Sequence, residues 1–295
     1  MTKLRVVVIV SKDKSDLYFA NQLMQRLNVV GVMIENQLPE PENTLKLIKA
    51  IKLIIKPHHF VSKLYENLSE KFRRKFSDYY KPIYSADFGD EGKKLFPKIN
   101  CEILYTHGVN NINAPEYVDW LKNMQPDVIA VCGASILREK ILSIPRHGVL
   151  NLHGGLSQKY RGLFTTDWAV HNEEPEYVGA TVHFVTPGID DGAIVYQGRP
   201  EIEPADNPHS LYVKVVQLGV NMMTRAIQDI EESKIKSTPL HQKGTLYLGR
   251  LYDTKARSRA WKNIRKGVVQ KYLANKQERD KAPLAMMQNV FPESH

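Results

Sequence analysis

The chain predicts an α/β fold built on a mainly parallel sheet, followed by a small C-terminal extension, and three observations carry that expectation. Apolar runs of strand length alternate with segments of helical spacing from the N-terminus to about Lys236. The first three, Leu4–Val10, Leu17–Leu27 and Val29–Ile34, read as strand, helix, strand. That order implies a parallel pair joined by a right-handed crossover. Further on, the apolar run at Val149 and Leu150 ends in two polar residues, Asn151 and His153. This is the place where an open α/β sheet presents side chains to a ligand.

Each element has its own warrant. Leu4–Val10 is a continuous apolar run of strand length, and Phe19, Leu23 and Leu27 set the stripe of the helix after it. The loop between them, Ser11–Ser15, contains no glycine, so it is a poor dinucleotide cradle. Pro39 and Pro41 break the pattern after the second strand. A helical insertion is expected at about 40–80, with Val61, Leu64, Leu68, Phe72 and Phe76 on one face of its second helix. The other face of that helix carries Lys71, Arg73, Arg74 and Lys75, which suits a surface helix, a membrane surface or RNA. Tyr117–Met124 reads as a helix and Val128–Val131 as a buried strand, left through Gly133–Leu137. Gly179–Phe184 and Ala193–Gln197 read as two strands joined by a turn carrying Asp190. Leu211–Ile230 has the spacing of a long helix, with Val215, Leu218, Met222 and Ile227 on its apolar face. Residues 1–236 are therefore expected to form the sheet domain. Residues 237–295 form a small basic extension with one short strand at Thr245–Leu248 and helix between Thr254 and Gln277.

Composition narrows the class. A chain of 295 residues with 42% apolar content can bury a sizeable core. No run reaches the length of a membrane span, and the N-terminus has no signal-peptide pattern. Two cysteines, Cys101 and Cys132, make neither a disulfide framework nor a metal-ligand pair, which fits the reducing cytoplasm. The net charge of +9 is concentrated at the end: Leu240–His295 holds twelve Lys or Arg against four Asp or Glu. Such a tail suits an anionic partner or an ordinary solvated surface.

On a strand, Asn151 and His153 share one face, with Leu152 turned into the core. Asp190 lies in the glycine-bearing turn Gly188–Gly192 and is a partner that can orient His153. Such a set serves either as hydrogen-bonded scaffolding or as a proton-moving site. Thr181 and His183 share a face of the next strand, and His183 reads as a scaffold histidine bordering the site. The ten histidines and the carboxylates show no metal-ligand spacing, so no metal is expected.

Asn151-x-His153, Tyr160-Arg161-Gly162, Trp168, Gly179–Phe184 and Asp190-x-Gly192, in this order, resemble the folate-dependent formyltransferases. That family includes glycinamide ribonucleotide, methionyl-tRNA and nucleotide-sugar formyltransferases, and the resemblance is densest from Val128 to Ile202. It implies a Rossmann-like sheet and transfer of a formyl group from 10-formyltetrahydrofolate, as co-substrate, to a primary amine. By the same resemblance Asn151 donates to the formyl oxygen, His153 stabilises its charge and helps move the proton, and Asp190 orients His153. Ser135, Ile136 and Leu137, with Gly188 and Ile189, take the folate side. Tyr160, Arg161 and Gly162 take the amine side, where Arg161 receives a phosphate or carboxylate or braces the loop.

Two departures bear on the acceptor. Gly154–Gln158 stands where the family often has a proline-bearing segment, which predicts a more pliable loop. The tail also lacks the alternating strands of the β-barrel that methionyl-tRNA formyltransferases carry. The expected partner is thus a small phosphorylated amine, a nucleotide-linked aminosugar before a tRNA. A formyltetrahydrofolate hydrolase and an RNA-binding module with a disabled core are the alternatives, the latter opposed by the intact Asn151, His153 and Asp190. The sequence carries no signal for an oligomeric state.

Overall fold

Strand order in the computed structural model puts the reversal of the chain at the centre of one sheet. The structure describes residues 3–36, 86–108 and 110–294, and these fall within one compact unit, Met1–Asn36 with Ala86–His295. The insertion expected at about 40–80 lies outside the described residues. The main sheet contains β1 (Val6–Val10), β2 (Val29–Ile34), β3 (Glu102–Tyr105), β4 (Val128–Cys132), β5 (Val149–His153), β7 (Ala180–Phe184) and β8 (Ile194–Gly198). They lie in the order β3-β2-β1-β4-β5-β7-β8. β1 to β5 are parallel, whereas β7 runs antiparallel to β5 and β8 antiparallel to β7. Between β1 and β4 the order reverses, and both carboxyl ends open to one edge. Open α/β sheets bind their ligands in such a crevice.

Both faces of the sheet are covered, which is why the central strands are apolar throughout rather than alternating. Val6, Val8 and Val10 join one core cluster, while Val7 and Ile9 join the other. Helix α1 (Lys14–Arg26) packs on the first face, and α2 (Pro115–Met124) covers the second through Tyr117, Val118 and Leu121. The short helices α3 (Glu139–Leu142) and α4 (Thr165–His171) flank β5 in the chain. The long helix α5 (Pro208–Glu231) begins in a capping box, in which Asn207 accepts from the Ser210 backbone and the Ser210 hydroxyl accepts from the Asn207 N–H. A Cβ on Gly219 of this helix would lie 2.4 Å from Leu152. The glycine therefore lets α5 settle onto β5, fixing the strand that carries Asn151 and His153.

The C-terminal residues join this unit at several points. β9 (Thr245–Tyr247) pairs in parallel with β6 (Tyr160–Gly162) as a second, two-stranded sheet. α6 (Thr254–Arg265) packs on α4, where the Asn263 amide donates to the carbonyls of Val170 and His171. α7 (Val268–Ala274) brings Tyr272 to the buried Arg199, whose guanidinium also meets Asp280 at 2.6 Å. Among the described residues no helix is long and apolar enough to cross a membrane.

Candidate active site

The antiparallel pairing of β5 with β7 sets the polar groups in register. Asn151 lies opposite His183, and His153 opposite Thr181. Asp190 closes over them from the β7–β8 turn with φ +46°, a left-handed conformation that aspartate tolerates better than most residues. One carboxylate oxygen accepts from the Gly162 N–H at 2.9 Å and lies 3.4 Å from His153 Nδ1. The other accepts from Asn151 Nδ2 at 3.4 Å and faces His183 Nε2 at 3.6 Å. Asp190 is thus held from β5, β6 and β7 together, with 13% of its side chain exposed.

The surrounding carbonyls assign the ring protons. His153 Nε2 lies 2.8 Å from the Tyr160 carbonyl, which can only accept, so that nitrogen carries hydrogen. His183 Nδ1 is fixed in the same way by the Phe184 carbonyl at 2.9 Å. Its Nε2 is left to accept from Asn151 Nδ2 at 3.2 Å, or to turn a proton towards Asp190 when the ring is charged. Burial works to raise the Asp190 carboxyl. The charges of His153 and His183, with bonds from His183 and the Gly162 N–H, outweigh it and hold the group well below the usual carboxylate range. The arrangement can keep one carboxylate ionised beside two imidazoles in a nearly dry setting, which suits orienting a ring and favouring its charged form.

Around this centre the other expected residues divide. Arg161 donates from Nε to the Ile189 carbonyl at 3.0 Å, and Nη2 bonds the same oxygen. It therefore braces the turn one residue ahead of Asp190. Tyr160 is buried; its hydroxyl donates to Glu174 at 2.6 Å, and its carbonyl accepts from His153 Nε2. Gly162, at φ +88°, is required where it stands, since a Cβ would lie 2.2 Å from the Tyr247 carbonyl oxygen. Gly188 is exposed and Ile189 half-buried. Asp191 turns to Lys243 at 2.7 Å and to the Thr186 hydroxyl at 2.7 Å.

Ser135, Ile136 and Leu137 follow β4, the strand beside β5, and no hydrogen bond joins them to the Asp190 cluster among the described residues. The Ser135 N–H donates to Glu35 at 2.8 Å, and the other Glu35 oxygen takes the Asn110 N–H at 2.8 Å. Asn113 holds the Ile136 carbonyl at 2.9 Å, leaving the Ile136 side chain exposed, while Leu137 is buried in the core. Sequence reasoning did not single out Glu35 and Asn113, since their roles depend on loops meeting. His183, expected to border the site, lies opposite Asn151 in the cluster.

The loop Gly154–Gln158 is pinned rather than pliable. Gln158 and Gln197 exchange amide bonds at 2.8 and 2.7 Å, and Gln197 also reaches the Thr181 hydroxyl at 3.0 Å. Thr181 in turn donates to the Gly155 carbonyl at 2.7 Å, and Leu156 is fully buried. Side-chain bonds thus supply the stiffness that proline would have given. A cavity of about 640 Å³ lies elsewhere, at the ends of β1 and β3, lined by Lys12, Lys93, Lys94 and Tyr105 among others. No group of metal-ligating side chains is placed to hold an ion among the described residues.

Comparison with known proteins decides what this constellation resembles. Residues 85–227 match the formyl transferase family. The resemblance read from Asn151, His153 and Asp190 therefore extends over the sheet residues around them. The chain is similar to the methionyl-tRNA formyltransferase of Caldanaerobacter subterraneus subsp. tengcongensis, 34% identical over 144 residues, which are 48% of this chain and 46% of that protein. It is also similar to the bifunctional polymyxin resistance protein ArnA of Wigglesworthia glossinidia brevipalpis, 35% identical over 144 residues, or 48% of this chain and 21% of that protein. The chain thus spans about half, or less, of the length of these curated relatives. Among solved structures, a 4-N formyltransferase from Francisella tularensis shares the fold at a TM-score of 0.52 and 16% identity, over 89% of this chain and 88% of that one.

Proposed function

We propose that the chain transfers a formyl group from 10-formyltetrahydrofolate to the primary amine of a nucleotide-linked aminosugar, in the reducing cytoplasm. One observation carries this reading. Asn151, His153 and Asp190 converge at the carboxyl edge of the sheet, within the residues that match the formyl transferase family. Formyltetrahydrofolate supplies an electrophilic formyl carbon on a nitrogen leaving group. The amine bonds to that carbon, the bond to the folate nitrogen breaks, and a proton passes from the one nitrogen to the other.

Asn151 is the half-buried donor of the set, so its amide offers a hydrogen bond to the formyl oxygen as negative charge gathers there. His153 has both ring nitrogens engaged, by the Tyr160 carbonyl and by Asp190. When charged it therefore stabilises the site by its field, and its proton moves by way of Asp190. Asp190 orients His153 and relays the proton that the attacking amine releases. The exposed Ile136 and the half-buried Ile189 offer apolar side chains to a flat ring system, which suits the folate. Arg161, committed to Ile189, positions the turn.

The test is an incubation of the protein with 10-formyltetrahydrofolate, alone and with a panel of nucleotide-linked aminosugars and methionyl-tRNA. Formylated aminosugar is the expected product. Formate without an acceptor would mark a hydrolase, and formyl-methionyl-tRNA with inert aminosugars would replace the acceptor.

A further inference from the structure

An apolar patch borders the site on its β6–β9 side. Leu163 and Phe164 follow Gly162, whose N–H holds Asp190, and both are exposed. Leu246, Leu248 and Leu251 are exposed on and after β9, which pairs with β6. Phe164 adopts φ +58° while leaving 48% of its surface exposed. A non-glycine residue held in the left-handed region is strained, and such strain gathers at functional positions. The ring is the outer member of an aromatic stack. It lies on Tyr252 at 5.1 Å and 26°, Tyr252 meets Trp168 edge-on at 5.5 Å, and Trp168 leans on Tyr247 at 4.6 Å. Tyr252 is fixed by a 2.9 Å bond from its hydroxyl to Asp167. The inner face of Phe164 is thus supported by a rigid column while the ring itself remains half open.

We infer that Phe164 is the stacking platform for the nucleobase of the acceptor, with Arg250 receiving its phosphates. This rests on the formyl-transfer reading and names the substrate class of the same site. A planar base adds the next ring to the column, a contact that depends on a π-face rather than on sequence-specific hydrogen bonds. Arg250 lies between Gly249 and Leu251, is exposed, and makes no side-chain hydrogen bond or ion pair among the described residues. A guanidinium so placed is available for bidentate bonding to phosphate. The same chemistry exists at the terminal adenosine of an aminoacyl-tRNA. The occupant named here is the nucleoside diphosphate, because the exposed patch is a few side chains wide and directly adjoins the Asp190 centre.

The experiment is calorimetric titration with uridine, thymidine and guanosine diphosphates, with pyrophosphate as the base-free control and no folate present. Binding without folate is read independently of formyl transfer, so failure of either idea leaves the other visible. At least one nucleotide is expected to bind more tightly than pyrophosphate. Phe164→Ala should weaken that nucleotide by about 5- to 150-fold, Phe164→Tyr should restore it, and Phe164→Leu should resemble alanine. Arg250→Ala should weaken nucleotide and pyrophosphate alike. Melting curves identify any variant that fails to fold, and the Tyr and Leu pair keeps the comparison intact in that case. Equal binding by wild type and Phe164→Leu would overturn the proposal. So would binding no tighter than pyrophosphate, or formylation of methionyl-tRNA with no diphosphate bound.

Discussion

Asp190→Asn keeps the size of the side chain and removes its charge, which makes it a sensitive probe of the site. The carboxylate accepts from Gly162 at 2.9 Å and from Asn151 at 3.4 Å, and faces His153 Nδ1 at 3.4 Å. An amide offers one acceptor oxygen in place of two, so its NH2 must point at a donor, either the Gly162 N–H or Asn151. One buried donor is left unsatisfied, at a cost of about 1–3 kcal/mol. Loss of the charge that orients His153 and relays the proton should lower turnover by about 10²- to 10⁴-fold. The two effects separate by assay: urea unfolding reads the first, and single-turnover formyl transfer under native conditions reads the second. Because Asn151 touches Asp190, Asn151→Ala should add little to the Asp190→Asn defect in a double-mutant cycle. Acid stability gives an independent check. The carboxyl is held low in the folded state, so its stabilising effect is complete above the unfolded value near ~4 and disappears as pH falls below it. The variant should lose that part of the acid dependence. Turnover within threefold of wild type, or strictly additive defects, would refute the assignment of Asp190.

Three further outcomes are expected. Asn151→Ala alone should lower turnover by about 10²- to 10³-fold with folate affinity nearly unchanged, because a donor to developing charge acts mainly in the transition state; a rise in KM at constant turnover would contradict it. Gly162→Ala places a Cβ 2.2 Å from the Tyr247 carbonyl at φ +88°, so it should part β6 from β9 and lower both melting temperature and activity. Burial raises the Asp16 carboxyl to about 6 against bonds from Ser11, Ser15 and Cys132. A group raised in the folded state destabilises as it ionises, so wild type should lose about 2 kcal/mol between pH 4 and pH 7 on this account. Asp16→Asn should gain relative stability over that range, measured by urea unfolding, and a pH-independent difference would sink the idea.

Where the fold is local, it was legible. Val29–Ile34 was read with both its ends, since a continuous apolar run between polar neighbours has little freedom of register. The shared face of Asn151 and His153 followed from the period of two along a strand. The β6–β9 pair was not legible, because residues 160–162 and 245–247 are short and far apart in the chain, and nothing local marks a parallel pairing. His183 was legible only as bordering the site. Its alternation was plain, but only the β5–β7 register says that it lies opposite Asn151. Arg161 reads from the sequence as either ligand or brace, and its bond to the Ile189 carbonyl is a contact that no local pattern marks. Residues whose role depends on one strand could be read, and those whose role depends on two elements meeting could not.

The basic C-terminal residues carry less free charge than their count along the chain suggests. Their excess of positive residues suggests a polyanion when counted along the sequence. In the fold, Lys243 faces Asp191 at 2.7 Å, Arg279 faces Glu176 at 2.6 Å, and Lys276 faces Asp280 at 2.7 Å. Asp280 also takes Arg199, whose side chain is almost wholly buried. Asp191, Glu176 and Arg199 all precede residue 237, so these ion pairs join the tail to the rest of the unit. In each of the first three the cation keeps part of its side chain in solvent, and an ion pair screened in this way contributes little stability. The buried Arg199–Asp280 pair is different, because removing either partner leaves a charge without compensation. Each such cation is already partly neutralised and has fewer counterions to release on meeting a nucleic acid. The charge left for a ligand is therefore smaller than the count implies.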